Sequence, residues 1–111
     1  MTFNEYQSRA HEFAGPSCDD FFYPLLGLGG ETGELLDKFK KQWRDKGIRS
    51  IGGVSMADGV TIARELGDVL WYIGEIAYRL GYNLHHVAEM NIAKLEDRAA
   101  RGKIGGEGDS R

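Results

Sequence analysis

Apolar positions along this chain recur at the spacing of helices rather than of strands. Phe3, Tyr6, Ala10 and Phe13 fall three or four residues apart up to the Gly15-Pro16 break, and Thr2 followed by Glu5 forms a capping box, which predicts a first helix. Leu28, Thr32, Leu35, Leu36, Phe39 and Trp43 make the stripe of a second helix, beginning between Pro24 and Gly30 and ending near Gly47. The segment from Gly47 to Gly53 is too short and glycine-rich for a helix and is read as a loop or a small hairpin. Ser55 and Asp58 cap a third helix in which Ile62, Leu66, Val69, Ile73, Ile76 and Leu80 face one way until Gly81. Asn83 caps a fourth, carrying Leu84, Val87, Ile92 and Leu95 and fading near Gly102, with a flexible tail expected over residues 104–111. The expectation is therefore an all-α, four-helix-bundle-like fold.

Composition narrows the function classes. The 111 residues suit one domain, and 41% hydrophobic with 28% charged residues is the balance of a chain that builds a core. Apolar runs stop well short of the ~20 residues that a membrane span needs, and Met1 to Glu5 is not a basic and apolar leader, so a cytoplasmic location with no membrane partner is expected. A net charge of -3 argues against nucleic acid as a partner but leaves room for small anions. The single cysteine, Cys18, has no second thiol for a disulfide or a zinc site.

The two middle helices echo one another. Glu31-Thr32-Gly33-Glu34-Leu35-Leu36 matches Glu65-Leu66-Gly67-Asp68-Val69-Leu70 as acid-x-Gly-acid-apolar-Leu. Acids three apart lie about 60° apart around a helix on neighbouring turns, so each pair can share a ligand. Both pairs border an apolar stripe, and packing the stripes in an antiparallel pair would gather four carboxylates at one rim. Like charges there raise one another's pKa unless a cation neutralises them, and oxygen-only donors select a hard ion, Mg²⁺ first and Mn²⁺ as a substitute. One i,i+3 acid pair is ordinary surface decoration. Repetition with the same costly mid-helix glycine, for which a packing reason is expected, favours a metal site. The alternative is a non-catalytic helical module that binds nucleotides or protein partners and carries the acids as a solvated rim. A di-iron bundle would need Glu-x-x-His on two helices, and the chain has none.

These motifs resemble the MazG-like branch of the all-α nucleoside triphosphate pyrophosphatases, marked by ExxE followed on a later helix by ExxD. The likeness extends to Thr2-Phe3-Asn4-Glu5-Tyr6-Gln7, to Gly27-Leu28-Gly29-Gly30 and to Asn91 through Arg98, so it covers most of the chain, with residues 1–103 as the domain. The 30 residues between Glu34 and Glu65 slightly exceed the family spacing, which places an insertion at Gly47 to Asp58. The resemblance implies hydrolysis of a nucleoside or deoxynucleoside triphosphate to the monophosphate and pyrophosphate, with Glu31, Glu34, Glu65 and Asp68 as metal-holding and catalytic residues. Water would attack the α-phosphate while metal offsets charge on the leaving group. Candidate phosphate contacts are Lys38, one turn after Glu34, and Lys94 and Arg98, four apart on the last helix, with Lys94 favoured by the matching Asn91-x-x-Lys94 pattern. Each is equally readable as a solvated charge. Tyr72, one turn beyond Asp68, is a candidate to stack on the nucleotide or a half-buried core tyrosine.

Other features point to structure. Gly67, Gly74 and Gly81 recur every seven residues, and Trp71, Tyr78 and Tyr82 lie opposite the acids. A helix apolar on two faces is usually sandwiched, so self-association through the third helix into a homodimer or homotetramer is expected, as the resemblance also implies. Glycines 27, 29, 30 and 33 are not a phosphate loop and are read as helix-packing positions. His85 and His86 read as surface or capping residues, and His11 suggests no role.

Overall fold

The computed structural model describes residues 1–102, and the tail expected over 104–111 lies outside them. Four helices are present, α1 (Phe3–His11), α2 (Phe22–Lys46), α3 (Met56–Arg79) and α4 (Leu84–Ala100), with no strand among the described residues. The fold is all-α.

Local chemistry accounts for most boundaries. Thr2 Oγ1 accepts from the Glu5 amide while the Glu5 carboxylate accepts from the Thr2 amide, completing the capping box of α1. Ser55 Oγ accepts from Asp58 N and Asn83 Oδ1 from His86 N, starting α3 and α4. Gly47 and Gly81 stand at φ 67° and 84°, left-handed positions that close α2 and α3. α2 begins at Phe22, earlier than expected, because the Asp20 carboxylate accepts from Phe22 N and Pro24 falls in the first turn, where its missing N–H costs nothing. Of the two possibilities for residues 47–53, the loop is found, with a single 3₁₀ turn at Ile51–Gly53.

α2 and α3 form the long antiparallel pair, as successive bridges show. Gln42 Nε2 donates to Asp58 Oδ2 at 3.0 Å, Lys38 Nζ lies 3.8 Å from Glu65 Oε1, and the Tyr72 ring lies against Gly27. Residue numbers rise along one helix as they fall along the other. α1 then lies over α3 and the start of α4. Gln7, buried, donates to Gly74 O and Tyr82 O and accepts from Leu84 N, while Asn4 Oδ1 accepts from His85 N. With Asn83, these side chains satisfy three amides of the first turn of α4 that helical geometry leaves without partners.

The second apolar face of α3 is partly covered from within the chain, Tyr78 and Tyr82 staying exposed. Trp71 Nε1 donates to Ala10 O at 3.0 Å and His11 stacks on Tyr78 with ring centroids 3.9 Å apart, so α1 lies against part of this aromatic face. The aromatic face seeks a nearby partner, and the short first helix reaches it. A different stripe stays open. Leu66, Ile73 and Leu80, seven apart, are 53%, 36% and 61% exposed, and the last two border an apolar cavity of about 320 Å³ with Leu28, Val87 and Met90.

Beneath α1, Glu75 is 2% exposed and contacts His11, while Arg79 reaches from Glu75 toward Asp19 in the 3₁₀ turn Pro16–Asp19. Cys18, in the same turn, is buried, and that burial pushes its thiol pKa up. It is a core residue here.

Candidate metal and nucleotide site

The antiparallel register of α2 and α3 sets the acidic motifs beside one another. One carboxylate oxygen each from Glu31, Glu65 and Asp68 lies within 4.8 Å of the others, a spacing at which one cation can touch all three. Each acid sits on a helix rather than a loop, so backbone hydrogen bonds fix its direction.

The electrostatics fit a cation. The Glu31 carboxyl is pushed above its ordinary value, first by desolvation and then by the charges of Glu34, Asp68 and Glu65. Glu34 is exposed and stands outside the group of three, acting on Glu31 through its charge. The expected cluster of four is thus a cluster of three with the fourth acid beside it. Helical spacing explains this, since Glu31 faces α3 and Glu34, about 60° further round, faces outward. Lys38, expected near the acids, lies on the α3 side, 3.8 Å from Glu65.

The glycines inside the two motifs have no packing partner in the chain. A Cβ built on Gly33 or Gly67 would meet nothing within 4 Å, and the same holds for Gly29 and Gly30. Gly27 differs, because a Cβ there would fall 2.2 Å from Tyr72 Cε1. Packing therefore explains Gly27, whereas the surface around Gly33 and Gly67 is open.

Tyr72 is half-buried beside the acids. Burial raises its hydroxyl pKa first, followed by hydrogen bonding to Tyr23, and the charge of Glu31 adds to the shift. Tyr6 of α1 also comes within electrostatic reach, its hydroxyl raised by burial and then by Asp68. Sequence spacing marks Tyr6 only as one member of a helical stripe, and nothing local shows that it meets the second acidic motif. Of the α4 candidates, Asn91 and Lys94 line a cavity of about 370 Å³ with Val87 and Met90, and Arg98 is buried. His85 and His86 take the surface and capping roles expected of them, His85 pairing with Glu89 and His86 stacking on Tyr82.

Comparison with known proteins agrees with this geometry. Residues 24–102 match the model of the MazG nucleotide pyrophosphohydrolase domain, a span that includes all four acids. The chain is also 39% identical over 95 residues to the Gene 37 protein of Mycobacterium phage L5, covering 86% of this chain and 80% of that protein. No solved structure matches it. No helix among the described residues is long and apolar enough to cross a membrane. Two repeated acidic motifs on an antiparallel helix pair, with the family match across both, place the chain in the MazG nucleotide pyrophosphohydrolase family.

Proposed function

We propose that this protein hydrolyses a nucleoside or deoxynucleoside triphosphate to the monophosphate and pyrophosphate, by attack of water at the α-phosphate. The observation that carries this reading is the convergence of Glu31, Glu65 and Asp68 within 4.8 Å on two helices of a MazG-family domain. Three carboxylate oxygens with no nitrogen or sulfur donor fit Mg²⁺, with Mn²⁺ as a substitute. When bound, the ion neutralises the acids and stabilises charge developing on the phosphates.

The chain's own groups supply the rest. Glu31, Glu65 and Asp68 would hold the ion and through it would orient the triphosphate across the rim. Glu34, exposed beside them, accepts a proton from the attacking water. Lys38 stands at the edge of the cluster, where its ammonium meets a phosphate oxygen. Gly33 and Gly67 leave the acid-bearing turns open to the ligand. Asn91, Lys94 and Arg98 would complete the phosphate contacts from α4. The catalytic unit spans residues 1–103, works in the cytoplasm without nucleic acid or membrane as partner, and assembles as a homodimer or homotetramer through the open stripe of α3.

The test is release of pyrophosphate, rather than orthophosphate, from a full panel of NTPs and dNTPs with Mg²⁺. Glu34→Gln and Asp68→Asn should each abolish turnover while leaving the far-ultraviolet helical signal unchanged. A panel without turnover, or full activity in both variants, sinks the reading.

A further inference from the structure

A further cavity lies between α1 and Trp71 of α3, and one of its lining residues, Tyr6, feels the charge of Asp68. It encloses about 320 Å³ and is lined by Tyr6, Arg9, Phe13 and Trp71, together with Met1 and Ala10. We infer that this cavity is the nucleobase subsite, in which Trp71 and Phe13 stack on the base and Arg9 reads its edge. The inference rests on the pyrophosphohydrolase reading above and adds the part of the substrate that the acids do not contact.

Three observations place a base here. Trp71 follows Asp68 by three residues on α3, about 4.5 Å along the helix axis and only about 60° round it, so it borders Asp68 rather than lying opposite the acids as the sequence suggested. A nucleotide whose phosphates sit at the acids therefore has its base end within reach of the indole. Two aromatic links also join cavity and acids. Tyr6 lines the cavity and feels the charge of Asp68, and Trp71 packs edge-on against Tyr72, centroids 5.0 Å apart, which feels the charge of Glu31. Finally, the indole is held in place by its bond to Ala10 O, whereas Phe13 is 82% exposed and has little to do with the core. An exposed phenyl and a fixed indole lining one cavity suit a flat ring held against them.

Arg9 gives the subsite a chemical preference. A guanidinium offers donors only, so it favours a base edge that presents acceptors. Guanine offers N7 and O6 side by side, whereas adenine puts an amino donor beside N7. In this structure the nearest polar partner of Arg9 NH1 is Met1 Sδ at 3.6 Å, a weak acceptor that a base oxygen readily replaces. Tyr6 and Arg9 on α1 and Phe13 just beyond it all precede the segment matched by the family domain, so this preference rests on residues outside that match.

The experiment compares GTP, ATP and methyl triphosphate, which has no base, in the wild type, Phe13→Ala and Arg9→Ala. Phe13→Ala should raise the nucleotide KM about tenfold, the effect of losing one stacking face, with kcat within about twofold and methyl triphosphate turnover unchanged. Arg9→Ala should erase the preference for GTP over ATP. An unchanged nucleotide KM in Phe13→Ala, or an equal loss on methyl triphosphate, overturns the inference. Binding is read separately in a Trp43→Phe background, where Trp71 is the remaining tryptophan. GMP should quench its fluorescence saturably, and Phe13→Ala should move the half-saturation point up about tenfold. Absence of quenching overturns the subsite, whereas quenching without turnover of any nucleotide overturns only the hydrolase reading.

Discussion

Nδ1 of His11 lies 2.7 Å from Oε1 of Glu75, a carboxylate with almost no contact with water, and the pair bolts α1 to the middle of α3. Glu75 is buried but His11 is about a third exposed, so removing the carboxylate leaves a partly hydrated imidazole and costs about 1–3 kcal/mol. Glu75→Ala should therefore lower the melting temperature by about 4 °C or more in a domain of this size. Calorimetry checks this. In a double-mutant cycle with His11→Ala the losses should be less than additive, and simple additivity would show that the pair is not coupled.

The glycines of α2 and α3 should divide into two classes. Gly27→Ala forces a methyl into the Tyr72 ring, so it destabilises despite the better helix propensity of alanine. Gly33→Ala and Gly67→Ala meet open space and should each stabilise the helix by about 1 kcal/mol. Thermal melts of the three variants decide the matter. A lowered melting temperature for Gly67→Ala would mean that another molecule occupies that space.

Crowded acids give the metal-free protein a definite pH response. Glu31 has a folded-state pKa raised above its ordinary value, so the folded state binds the extra proton. The resulting stability is fully present below the ordinary glutamate value and is lost as pH rises through the raised one. Melting temperature without divalent ions should thus fall as pH is raised through that window, and Glu31→Gln should flatten the dependence. Saturating Mg²⁺ should reverse its sign, because a cation competes with the proton for the same oxygens. The same slope with and without Mg²⁺ would remove the acids as a cation site.

Assembly through the open stripe of α3 predicts that Leu66→Gln combined with Leu80→Gln yields a smaller species in sedimentation velocity, with the helical signal retained. Both leucines are more than half exposed in the single chain, so the substitutions leave its core untouched. An unchanged sedimentation coefficient rules out this stripe as the contact.

The sequence revealed what is local. Capping at Thr2, Ser55 and Asn83, the stops at Gly47 and Gly81, and the register that joins Glu31 to Glu65 and Asp68 all follow from side chains within a few residues, or from two matched stripes. What escaped it depends on which element covers which face. Periodicity shows that α3 is apolar on two sides but cannot say that α1 supplies the cover for Trp71 and Tyr78. His11 and Glu75 are 64 residues apart and neither belongs to a motif, so their contact left no signal. Glu34 looks equivalent to Glu31 in the motif, and the direction each takes around the helix separates them only once α3 is in place.

Gln7 binds three backbone segments at once, and this sets the terms on which α1 stays ordered. A helix of nine residues does not persist alone in water, so α1 exists by leave of α3 and α4. Each time it lifts, Gly74 O, Tyr82 O and Leu84 N lose their partner together, and the amides of α1 and of the first turn of α4 become exchangeable as one unit. Tyr6 and Arg9, placed around the base, leave with it, while Trp71 stays on α3. The departure of this short helix would thus free a spent nucleotide.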